Sequence, residues 1–105
     1  MHITVTESDS EIRIAISGTL SGLENSAVAL FEAVSLSIEK DPHCIVLDFG
    51  RVVYIDSMAI GLLAGLLLKC QDRKIGFFFE QVPEHIKNIL DNAKFILLFP
   101  HLYKQ

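Results

Sequence analysis

Ile3 and Val5 alternate with Thr4 and Thr6, and Ile12, Ile14 and Ile16 alternate with Arg13, Ala15 and Ser17. A period of two places successive side chains on opposite faces, so both segments read as half-buried strands. Ser8-Asp9-Ser10 supplies turn chemistry between them, which predicts an antiparallel hairpin whose second strand ends at Gly18. The period then changes. Ser21-Gly22-Leu23-Glu24 has the spacing of a capping box, and Leu23, Ala27, Leu30, Phe31, Val34 and Ile38 recur on one helical face. That helix is expected to stop near Lys40, because Asp41 precedes Pro42 and a pre-proline residue disfavours the α region.

The central stretch from Cys44 to Arg73 is patterned differently. Cys44-Ile45-Val46-Leu47 is apolar at successive positions and runs into Asp48-Phe49, as in a strand covered on both faces. Gly50 and Arg51 read as a break, Val52 to Ile55 as a short connection into Asp56-Ser57, and Ser57 to Asp72 as a second helix. Ile75 to Glu80 follows as a strand. Pro83 suits the first position of a third helix with Ile86, Ile89, Leu90 and Ala93 on its core face. Phe95 to Phe99 reads as a final strand stopped by Pro100, and His101 to Gln105 are too few for another helix. The order β-β-α-β-α-β-α-β predicts an α/β fold. It is expected to be a single domain over residues 1–105, with helices on one mixed, mostly parallel five-stranded sheet.

Composition narrows the chemistry. With 105 residues the chain supports one hydrophobic core. Charged residues make up 21%, against roughly 25% in an ordinary soluble domain, which leaves apolar surface for a partner. A net charge of −4 with scattered Lys and Arg argues against nucleic acid and anionic lipid. The apolar run from Met58 to Leu68 is far short of the roughly 20 residues of a membrane span. Cys44 and Cys70 lie inside apolar elements and read as buried free thiols of a cytoplasmic protein. His2, His43, His85 and His101 have no metal-ligand spacing, and no phosphate-binding glycine loop is present, so no cofactor is implied.

Ser57 is the residue with the most to say. It sits on a strand-to-helix connection, as the nucleophile elbow of α/β hydrolases does. That elbow needs glycine two residues to either side, and Ile55 and Ala59 stand there, so an independent enzyme is not expected. Either Ser57 or Asp56 can cap the second helix, and Ser57 can also be a substrate for modification. The helix behind it carries Met58, Ile60, Leu62, Leu63, Leu66, Leu67 and Leu68 around most of its circumference, more than one buried stripe accounts for. Gly61 and Gly65, each costing about 1 kcal/mol against alanine, imply close approach of another backbone, the sheet's own or a partner's.

These residues resemble the STAS domain family, and within it the bacterial anti-anti-sigma factors, or anti-sigma factor antagonists. The likeness rests on IVLDF (Ile45–Phe49) and IDSMAIGLL (Ile55–Leu63), supported in order and spacing by the opening hairpin, Gly18-Thr19-Leu20 and ILDNAKFILLFP (Ile89–Pro100). The resemblance implies that Ser57 is phosphorylated by a partner that is both anti-sigma factor and serine kinase. The unphosphorylated form would bind that partner, and a serine phosphatase would reset the switch. Asp56, Ser57, Met58, Ile60, Gly61 and Ser21 would form the docking surface, and the apolar helix leaves room for self-association. Met58 stands where such proteins usually carry a small residue, and their last helix has no counterpart after Phe99. The second reading is a constitutive STAS-type scaffold subunit of a transporter or signalling complex, in which the serine is only a cap.

Overall fold

The computed structural model describes residues 2–23 and 25–93. Strands β1 (His2–Glu7) and β2 (Glu11–Leu20) form the expected hairpin, and the amide of Ser8 donates to the Glu11 carbonyl at 2.9 Å across its turn. Helix α1 (Ser26–Glu39), strand β3 (Cys44–Ile55), helix α2 (Ser57–Asp72), strand β4 (Gly76–Glu80) and helix α3 (Glu84–Asn92) follow. The sheet order is β1-β2-β3-β4, with β1 antiparallel to β2 and the other two pairs parallel. Among the described residues the sheet has four strands where five were expected. The expected strand Phe95–Phe99 lies outside the described residues.

Alternation dictates the two faces. Ile12 and Ile14 stand in register with Ile45 and Leu47 and then with Phe77 and Phe79, and this face joins one core with the helices. Leu30, Val34 and Ile38 of α1, Leu63, Leu66 and Cys70 of α2, and Ile86 and Leu90 of α3 complete that core. Ile89 is half-buried, and Ala93 is exposed instead of buried on the expected face. The opposite face carries Arg13, which donates to Glu80 at 2.7 Å.

Three further expectations need correction, and two concern strand length. β2 continues past Gly18 to Leu20, and β3 continues through Gly50-Arg51 to Ile55 without a break. Their ladder steps from Ala15↔Asp48 to Ser17↔Arg51, and from Gly18↔Val52 to Thr19↔Tyr54, so β3 accommodates an extra residue at each shift. Bulges of this kind keep a strand in its sheet where a breaker residue would suggest a stop. Gly18 has φ 94°, a conformation that glycine adopts without strain. His85 of α3 bonds through Nε2 to the carbonyl of Val53, the residue skipped by the second shift, at 2.7 Å.

The third correction is at the start of α1. The helix begins at Ser26 after Asn25, whose φ is 61°, so Ser21 does not cap it. Leu23, expected on the core face, is 94% exposed. The other end of α1 agrees with expectation: Lys40 closes it, and Asp41 before Pro42 leaves the helical region at φ 54°. Neither cysteine is in a disulfide. Cys44 is half-buried with Sγ 3.6 Å from Glu11, while burial pushes the Cys70 thiol up to about 11.

Candidate functional site

The paired ends of β2 and β3 bring two loops together. Leu20 stands opposite Ile55, and the Asp56 amide donates to the Leu20 carbonyl at 3.2 Å. Asp56 therefore leaves the sheet beside Ser21, a residue distant in sequence. Its extended backbone is that of a helix N-cap, and its Oδ1 accepts the Ala59 amide at 2.9 Å. The other oxygen, Oδ2, accepts the Ser21 hydroxyl at 2.9 Å and the Gly22 amide at 3.1 Å. One carboxylate thus ties the start of α2 to the β2–α1 loop.

That loop is braced from behind. Ser26 Oγ accepts the Ser21 amide at 2.6 Å and lies 2.8 Å from the Thr19 carbonyl, while Ser21 Oγ accepts the Leu23 amide at 3.1 Å. Ser21, expected at the docking surface, is buried. Ser57, by contrast, is exposed at the first position of α2, and its hydroxyl makes no hydrogen bond to the described residues. The cap is Asp56, and Ser57 is left open.

The Ala59 amide is the main cause that holds the Asp56 carboxyl below its ordinary value. The Ser21 hydroxyl and the Gly22 and Met58 amides add to it, against a smaller opposing cost of desolvation. A lowered folded-state value stabilises the fold above the unfolded value near 3.8, and that contribution is lost as pH falls below it. Asp56→Asn should therefore flatten the acid side of the stability profile. Thermal melts of parent and variant between about pH 6 and pH 2 check this, with convergence expected at the acid end.

Helix α2 buries Ala59, Leu63, Leu66, Leu67 and Cys70. On a helix this leaves Ser57, Gly61, Gly65 and Leu68 along the opposite, outer ridge. Gly61 is exposed, Met58 is 58% exposed and Ile60 is half-buried against the core. A Cβ built on Gly61 or Gly65 would meet no atom of the described residues within 4 Å, so strands β1 to β4 are not what these glycines accommodate. Gly61→Ala should accordingly stabilise the isolated domain by about 0.5–1 kcal/mol, measured by urea unfolding. Leu23 in the β2–α1 loop and Val53 and Tyr54 at the end of β3 are further exposed apolar side chains. Sequence patterning missed all three, because Leu23 matched a helical face and the other two sit beyond the supposed break in β3.

Comparisons with known proteins agree with this architecture. The STAS domain family profile matches residues 2–105, and the chain belongs to that family. A search of curated proteins finds no match. Among solved structures, an anti-sigma factor antagonist from Mycobacterium paratuberculosis superposes with TM-score 0.83 at 21% identity, over 99% of this chain and 86% of that one. The Bacillus cell fate determinant SpoIIAA in its phosphorylated form gives TM-score 0.74 at 14% identity, over 99% and 92%. A sulfate transporter family protein from Wolinella succinogenes gives TM-score 0.70 at 18% identity, over 90% and 76%. No helix among the described residues is long and apolar enough to cross a membrane.

Proposed function

We propose that this STAS protein is a cytoplasmic anti-sigma factor antagonist. Unphosphorylated, it binds an anti-sigma factor that is also a serine kinase; phosphorylation of Ser57 ends the complex, and a serine phosphatase restores it. The observation that carries the reading is the division of labour at the start of α2. Asp56 takes the capping role, so the Ser57 hydroxyl stays exposed, and the neighbouring Met58 side chain is more than half exposed as well. Anti-sigma factor antagonists share the fold, among them SpoIIAA, which was solved both unphosphorylated and phosphorylated.

The electrostatics favour a switch of affinity over a switch of fold. A phosphate adds about −1.5 to −2 charge at neutral pH, and a helix N-terminus offers it roughly 0.3–1 kcal/mol. Here the Asp56 carboxylate already holds the Ala59 amide and opposes the phosphate by like charge. Stability should thus change little. In a docked interface an uncompensated charge costs about 2–5 kcal/mol, and that larger effect decides the outcome.

The deciding experiment is isolation of the protein from its native cells under phosphatase inhibition. Intact-mass and peptide analysis should find phosphate on Ser57 in part of the population, and a serine kinase with the unmodified part. Stable association with a membrane complex, and no phosphate on Ser57, would replace this reading with the constitutive scaffold.

A further inference from the structure

Met58 stands directly beside the phosphoacceptor and is long, flexible and more than half exposed. Such a side chain has three rotatable bonds and adapts to whatever space is open to it. The Met58 thioether lies across Gly22, in the space that any side chain at residue 22 would fill: a Cβ there would come 2.8 Å from Met58 Cγ and 3.0 Å from its Cβ, with Sδ nearer still.

Gly22 is required for space and not for backbone conformation, since the only described glycine with positive φ is Gly18. The Gly22 amide is anchored on Asp56 Oδ2, and the next amide, of Leu23, on Ser21 Oγ. The platform beneath the thioether is therefore fixed to the same carboxylate that caps α2. On the other side of Met58, the ridge of Ser57 and Gly61 is open among the described residues, with none of their atoms within 4 Å of a Cβ at Gly61. A thioether evicted from Gly22 has room to turn toward that ridge.

From this geometry we infer that Gly22 is a seat that holds Met58 clear of the Ser57 hydroxyl, making Gly22 and Met58 a matched pair of positioning residues. The inference rests on the reading of Ser57 as phosphoacceptor for its functional consequence, though the seat itself is a property of the free domain. A small residue at 58 would need no seat, so the two positions should be coupled.

A double-mutant cycle tests this on the full chain. The parent, Gly22→Ala, Met58→Ala and the double variant are incubated in an extract of the native cells with labelled ATP, and Ser57 labelling is followed by peptide mass spectrometry. Gly22→Ala should slow labelling about tenfold with Met58 in place and by less than about twofold when it is added to Met58→Ala, whatever the rate of Met58→Ala itself. A Gly22→Ala effect of equal size in both backgrounds, or no slowing of Gly22→Ala, would overturn the inference. Thermal melts confirm that each variant is folded. A second readout needs no kinase: the Met58 methyl should show nuclear Overhauser contacts to Gly22 in the parent and to Ser57 or Gly61 in Gly22→Ala. Parent protein that is never labelled would sink the phosphoacceptor reading, while these methyl contacts still decide the seat. A methyl that points into solvent in Gly22→Ala removes the seat's purpose.

Discussion

Ser57→Asp should leave the fold intact and weaken binding to the anti-sigma factor by about 30-fold to several thousand-fold. The side chain at this position is exposed and makes no hydrogen bond to the described residues, so an added carboxylate disturbs no packing and breaks no bond. Its melting temperature should stay within about 3 °C of the parent, the range of an ordinary surface substitution. Binding is another matter. In the proposed complex a docked partner would cover Ser57 together with Met58 and Gly61, exclude water and leave the new charge beside Asp56 with nothing to offset it. Calorimetric titration against the co-purified kinase measures the loss, and Ser57→Ala provides the contrast, with affinity kept and labelling abolished. If Ser57→Asp bound as tightly as the parent, exclusion of charge would be the wrong account of the switch.

Much of this was legible in the sequence because it depends on local periodicity. Period two marked β1 and β2, the run of successive apolar residues marked β3, and α2 was placed at its observed bounds, Ser57–Asp72. What patterning could not reach was anything decided by residues far apart. The Ser21-Gly22-Leu23-Glu24 spacing satisfies a capping box, yet the Ser21 hydroxyl bonds to Asp56, 35 residues away, and the helix starts later. Gly50 has the composition of a breaker, but pairing with β2 carries β3 past it through a bulge. Ladder pairing outweighs local propensity there.

The site was legible to a similar depth. Ser57 and Asp56 are both candidate caps in the sequence, and only the structure divides the roles between them. Gly61 and Gly65 imply close approach of a backbone without saying whose; the open space above them among the described residues removes strands β1 to β4 from consideration. Met58 is unusual beside the serine, but its contact with Gly22 joins the start of α2 to the β2–α1 loop, which no periodicity connects.

Phe49→Ala should have the opposite profile to Ser57→Asp, with a large loss of stability and no direct effect on the docking surface. Phe49 is fully buried on β3, next to the bulge at Gly50, and its ring lies 4.7 Å from that of Phe79 on β4. Phe79 in turn meets Phe77 edge-on at 5.7 Å, so one deletion removes a ring from a three-membered aromatic cluster. Truncating a buried phenylalanine costs about 3–5 kcal/mol through lost transfer energy and the cavity left behind. Against the roughly 5–15 kcal/mol that stabilises a domain, this brings the protein close to unfolding at physiological temperature. Leu23→Ala is the matched control: at 94% exposure it should shift stability by less than about 0.5 kcal/mol, although its side chain is also large and apolar. Urea unfolding of both variants measures the difference. A Phe49→Ala variant as stable as Leu23→Ala would mean that the β3–β4 aromatic cluster does not hold the strand that carries Asp56 and Ser57. With the expected result, partner binding by Phe49→Ala should fall only in step with its folded fraction. That proportionality separates loss of the scaffold from loss of the switch.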